Sequence, residues 1–95
     1  MTETKKNNNS STHRGCLDIM ADILEASHNG TKKTYLMYRC NLAFRQLKSY
    51  LNFMLRKNLL CTIVENGDSN LDLYKTTEKG KEFLKAYKDL KALMN

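Results

Sequence analysis

The sequence predicts a mainly helical α+β fold: three short helices, a two-stranded β-hairpin and a closing helix. Three observations predict it. Apolar residues recur at helical spacing in four segments. Two short β-prone segments flank one cluster of turn formers. The second and third helices are separated by only about three residues, too few for anything but a tight turn.

Residues 1–14 are polar and carry no aliphatic side chain after Met1. They bury too little apolar surface to offset the entropy of ordering, so a disordered tail is expected there. Lys5, Lys6, His13 and Arg14 would be its phosphate-contacting groups. From Cys16 to Ser27, apolar Leu17, Met20, Ala21, Ile23 and Leu24 define an amphipathic helix. His28-Asn29-Gly30 ends it, since Asn and Gly tolerate the left-handed backbone of helix C-termini. His28, alone at a helix end, reads as a partner for the last carbonyls and not as a catalytic or metal-binding group.

Thr31 is the expected N-cap of a second helix running to about Cys40, with Leu36, Met37 and Cys40 on its apolar edge. Lys32 and Lys33 fall in its first turn, where the helix dipole disfavours cations. An external anion such as phosphate would relieve that conflict. Leu42 should plug the core in the following turn. The third helix occupies Ala43 to Lys57. Leu47, Tyr50, Leu51, Met54 and Leu55 form one apolar face. Arg45, Gln46, Lys48, Ser49 and Asn52 form the opposite face, and all five can donate hydrogen bonds. Arg and Lys match guanine edges and phosphates, and Gln and Asn match adenine. These five residues are therefore the candidate DNA-reading set, with Lys32 and Lys33 as backbone contacts. Solvated helix faces are often basic too, so the face alone is a weak signal.

Asn58 stands where a helix-terminating Gly is commonest. Leu59 to Val64 is apolar and β-prone, and 71–76 alternates, so the two read as strands around a loop at 65–70. Thr76 or Thr77 caps a fourth helix that runs to the chain end. Phe83, Tyr87, Leu90 and Met94 recur on it at spacings of four, three and four, a stripe suited to helix pairing. Three helices followed by a hairpin is the winged helix-turn-helix plan. The organisation is then a tail at 1–14, a winged domain at 15–76 and a terminal helix at 77–95.

The chain has 95 residues, enough for one small domain. Its formal net charge of +6 and pI near 9.3 favour a polyanionic partner. No apolar run approaches the length of a membrane span, and no signal peptide core is present. Cys16, Cys40 and Cys61 are widely spaced and odd in number, against a disulfide framework or zinc knuckle. Each lies among apolar residues and is expected as a buried thiol in a reducing, intracellular compartment. No histidine falls in the predicted core, and no phosphate-binding glycine loop, nucleophile elbow or metal-ligand cluster occurs, which argues against an enzyme.

Several anchors in register resemble one family. These are Leu36-Met37-Tyr38, Cys40-Asn41-Leu42-Ala43, Gln46-Leu47, Tyr50-Leu51, Met54-Leu55, Asn58-Leu59, and Tyr74 with Thr77, Lys79 and Gly80. Together they resemble small archaeal winged-helix DNA-binding proteins, over roughly Leu17 to Leu84. The resemblance implies double-stranded DNA as partner, a role as transcription regulator or nucleoid-associated protein in the cytoplasm, and no cofactor or small-molecule ligand. It also implies a homodimer formed through the last helix, with Phe83, Tyr87, Leu90 and Met94 at the contact. The chain departs from the pattern at Ala43, where Ser is usual, and at Asn58, where Gly is usual. Its last helix, some 18 residues or roughly 27 Å long, is short for a coiled-coil arm. The alternative reading is a protein-interaction winged helix within a transcription assembly, with Tyr35, Tyr38, Phe44 and Phe53 as its contact surface.

Overall fold

Six elements build the protein in the computed structural model, which describes residues 15–65 and 68–94. They are α1 (Cys16–Ala26), α2 (Lys33–Cys40), α3 (Phe44–Arg56), β1 (Leu60–Glu65), β2 (Asp68–Thr76) and α4 (Glu78–Met94). The core is what the periodicity places inside. Ile23, Leu24, Leu36, Leu47 and Met54 are fully buried, and Leu42 plugs the turn between α2 and α3. Each such side chain contributes about 1.5–3 kcal/mol of burial.

The turns show how the helices are cut to length. Asn41 ends α2 at φ 55° and Asn58 follows α3 at φ 63°, both left-handed. In each case the next amide reaches back: Leu42 N–H to Met37 O at 3.1 Å, and Leu59 N–H to Met54 O at 2.9 Å. These bonds satisfy carbonyls that the helix end would orphan. Asn thus does at 58 what Gly does elsewhere, because its short polar side chain tolerates positive φ. Ala43 leaves α3 without a hydroxyl cap, as its identity requires. Gln46 compensates in part, its Oε1 accepting the Ala43 N–H at 3.0 Å.

Thr31 is not the N-cap of α2. That position belongs to Lys32, which has extended backbone and no side-chain cap. Thr31 instead pairs with Tyr74, its N–H donating to Tyr74 O at 2.9 Å and its carbonyl accepting from Tyr74 N–H at 2.7 Å. Two backbone bonds to a β-branched, extended residue outweigh one hydroxyl cap.

The hairpin is also longer than composition implies. β1 and β2 are antiparallel, with Leu60 opposite Thr76 and Ile63 opposite Leu73, and pairing continues past an irregularity to Glu65 opposite Asp68. The stretch 68–70, read as loop, is strand, because pairing with β1 recruits residues whose own preference is for turns. The central loop residues 66–67 and the N-terminal stretch 1–14, read as a disordered tail, lie outside the described residues.

The junction into α4 is tightly stitched. Thr76 Oγ1 donates to Leu24 O at 2.7 Å, and Thr76 N–H to Ser27 O at 3.0 Å. Thr77 Oγ1 accepts from Gly80 N–H at 3.0 Å, the N-cap bond, and donates to Asn58 O at 2.5 Å. Leu84 is buried, and Phe83 and Tyr87 pack half-buried against the core. Tyr87 OH donates to the Asp18 carboxylate on α1, and Lys88 pairs with Glu25 at 2.9 Å. Tyr87, expected on an intersubunit stripe, is therefore engaged within the chain. The cysteines also differ from expectation. Cys40 is buried, but Cys16 and Cys61 are exposed. Cys61 follows buried Leu60 on a strand, so its side chain takes the other face; Cys16 is the first residue of α1.

Candidate nucleic-acid interface

Helix α3 presents its candidate face as an arc. Leu47, Leu51 and Met54 fix its inner side. At 3.6 residues per turn, Arg45, Ser49 and Asn52 then fall within about 60° on the outer side. All three are exposed. Lys48 flanks them on one edge and Gln46 on the other. The Gln46 oxygen is already used at the helix start, so its amide NH2 is the group that remains to donate. Ser49 leans toward α1, where it lines an open apolar groove of about 280 Å3 with Cys16, Met20, Tyr50 and Phe53. Arg56, absent from the sequence-based set, is exposed and nearly in line with Arg45 three turns on. The eleven-residue spacing from Arg45 is the signal in the sequence that points to it.

The basic residues are segregated. Residues 32–58, spanning α2 and α3, hold seven of the sixteen Lys and Arg and none of the ten Asp and Glu. The rest of the chain is close to neutral, so the whole positive excess sits on these two helices and their cap residues. Lys32 is exposed at the N-cap of α2. Lys33 is half-buried, with its Nζ 4.9 Å from the centre of the Phe44 ring. The Lys33 charge is thus anchored beside the start of α3 rather than free in solvent.

Aromatic rings punctuate the same surface. Tyr35, Phe44 and Phe53 are partly exposed, and Tyr38 is 89% exposed. Arg39 Nη1 donates to Tyr35 OH at 3.3 Å. Lys57 Nζ and the Arg56 guanidinium lie 5.8 and 6.0 Å from the Phe53 ring centre. The Phe44 and Phe53 rings therefore lie beside cations, and Tyr35 holds one at its hydroxyl, so these three do not form a bare apolar patch.

His28 is exposed, its backbone N–H reaching Glu25 O at 3.4 Å. Among the described residues no group of three or more His, Cys, Asp or Glu is placed to hold a metal ion, and no helix is long and apolar enough to cross a membrane. On α4, Leu90, Leu93 and Met94 are exposed, and Leu90 lines a shallow apolar groove with Leu17, Phe83, Ala86 and Tyr87.

A family model described as winged helix-turn-helix matches residues 13–95. Sso10a-2, a DNA-binding protein from Sulfolobus solfataricus, has a similar structure, with a TM-score of 0.75 and 25% identity over 85% of this chain and 82% of its own. The zinc-dependent MarR family transcriptional regulator AdcR, in its Zn(II)-bound state, shares the fold at a TM-score of 0.54 and 14% identity. That match covers 79% of this chain and 53% of AdcR. No curated protein sequence matches the chain.

Proposed function

We propose, from the premise that this chain belongs to the winged helix-turn-helix family, that it binds double-stranded DNA with α3 in the major groove. The observation that carries the reading is the segregation of charge: seven cations and no acid on α2, α3 and the residues that cap and join them. A scattered surplus would serve solubility, whereas a surplus confined to the helix-turn-helix supplies phosphate attraction where the reading helix docks. The similar protein Sso10a-2 is itself described as DNA-binding, which supports the same reading.

In this reading Arg45, Ser49 and Asn52 address base edges, and the Gln46 amide donates from the edge of the arc. Lys48, Arg56 and Lys32 address phosphates, and Lys33 adds a fixed positive field at the start of α3. The chain acts by occupying DNA, as a transcription regulator or a nucleoid-associated protein in an archaeal cytoplasm. It works as a homodimer through α4. Leu90 and Met94, with Leu93 and the exposed part of Phe83, form the pairing stripe, and Tyr87 supports that stripe from within its own chain. A two-fold dimer would place two reading helices on one duplex.

The experiment is an anisotropy titration of a labelled duplex at two salt concentrations. Binding that weakens steeply with salt, with a log–log slope of several charges, is the expected result. A chain that ignores duplex DNA at low salt would overturn the reading.

A further inference from the structure

We propose that the outer surface of α2 and α3 also binds unpaired DNA, stacking bases on Tyr38 and the rings beside it; this rests on the same basic surface as the duplex reading. Among the described residues, the exposed large aromatic side chains are Tyr35, Tyr38, Phe44 and Phe53. All four lie inside the stretch 32–58 that carries cations and no acid. The other described aromatics, Tyr50, Tyr74, Phe83 and Tyr87, are half-buried against the core.

A duplex has little use for such rings. Its base faces are hidden in the stack, and the grooves offer edges, methyl groups and phosphates. Phe44 and Phe53, on the reading helix, have an apolar role available in a groove. Tyr38 does not lie on that helix. Leu36 and Cys40 hold the inner face of α2, which leaves Tyr38 at the middle of its outer face, 89% exposed. Tyr35 stands one turn earlier, so the two side chains are neighbours on the helix surface.

Unpaired DNA offers what these residues match: a π-face on every base and a phosphate between bases. Sequence-tolerant single-strand binding combines these two elements, aromatic platforms and a basic track. Here each aromatic of the set except Tyr38 touches a cation: Arg39 at Tyr35, Lys33 at Phe44, Arg56 and Lys57 at Phe53. Tyr38, 89% exposed, offers its ring from the same cationic stretch.

The test uses the full chain with a labelled oligothymidine and, in parallel, the labelled duplex. Wild type should bind both. Tyr38→Ala should weaken oligothymidine binding about five- to 150-fold, the effect of one lost stacking platform, and leave duplex binding within about twofold. Tyr38→Phe should keep both. At its exposure the side chain lies outside the core, and a thermal melt checks that each variant folds. The chain has no Trp, so quenching of tyrosine emission by oligothymidine, reduced in Tyr38→Ala, is a second readout. An alanine variant that binds oligothymidine like wild type would reduce the surface to phosphate attraction and overturn the proposal. So would a phenylalanine variant that loses as much as alanine, which would make the hydroxyl a phosphate donor, or an equal loss on the duplex. A wild type that binds duplex but ignores oligothymidine overturns this proposal alone and leaves the rings to a protein partner. A wild type that ignores the duplex overturns the duplex reading separately.

Discussion

Gly80→Ala should destabilise the protein, although it replaces the poorest ordinary helix former with the best. Gly80 lies in the first turn of α4, packed on the turn that leads into β1. A Cβ built there would stand 2.2 Å from the Leu59 carbonyl oxygen, 2.7 Å from Thr76 Cγ2 and 3.1 Å from Leu24 Cδ2. The first of these is backbone and more than about 1 Å inside ordinary contact, so α4 must lift away. Lifting strains the Thr77 N–H bond to Leu59 O, now 3.1 Å, and the Thr77 hydroxyl bond to Asn58 O. Overpacking of this kind costs about 1–3 kcal/mol, and a lost hydrogen bond about 1 kcal/mol more. Helix propensity returns at most about 1 kcal/mol. The balance is a loss of about 1–3 kcal/mol, or a fall in Tm of roughly 4–8 °C for each kcal/mol in a domain this size. Thermal unfolding followed by far-ultraviolet circular dichroism measures it. A variant with a Tm equal to or above that of wild type would refute the close approach of α4 to the β1 turn.

Other perturbations separate the remaining claims. The Tyr87 hydrogen bond, with help from the Gly15 N–H and Lys91, holds the Asp18 carboxyl below its ordinary 3.8, against an opposing effect of burial. Its contribution is therefore whole above about pH 4 and lost as pH falls through the lowered value; Asp18→Asn should flatten that acid limb in a series of melts, and an unchanged limb would remove Asp18 from it. The same bond, with burial adding, raises Tyr87 to about 12. Its share is complete below the ordinary 10 and lost as pH climbs toward 12, so a tyrosinate absorbance titration should show one late group that Tyr87→Phe removes. Arg45→Ala should cost about 1–3 kcal/mol in specific duplex binding, whereas Arg56→Ala should weaken binding to any duplex and lower the salt slope by about one. Wild-type affinity in either variant would strike that residue from the interface. Leu90→Glu with Met94→Glu should turn the proposed dimer into a monomer by sedimentation; a dimer that survives would place the interface elsewhere.

The four helices were legible because their signal is local. Ile23, Leu24, Leu47, Leu51 and Met54 declare an inner face at helical spacing, and the structure buries all five. What sequence could not show was decided by partners distant in the chain. Thr31 looks like a cap until Tyr74 is found beside it, and 68–70 looks like a loop until β1 is found opposite. Cys16 has apolar neighbours in sequence and solvent in space. On the candidate interface, the outward arc of α3 follows directly from its inward one. That Lys33 leans on Phe44, and that Gln46 spends its oxygen on Ala43, depends on which side-chain conformations meet. Arg56, eleven residues on from Arg45, was legible by the same spacing.

The Thr31–Tyr74 pairing has a mechanical meaning for the proposed complex. It fastens the residue just before Lys32 to the strand that carries the wing. The basic start of α2, where Lys32 is exposed, is therefore tied to the hairpin instead of hanging from a free loop. In the proposed complex the place of the Lys32 charge relative to the body of the domain is set before DNA arrives, so little backbone entropy is lost in fixing it on binding.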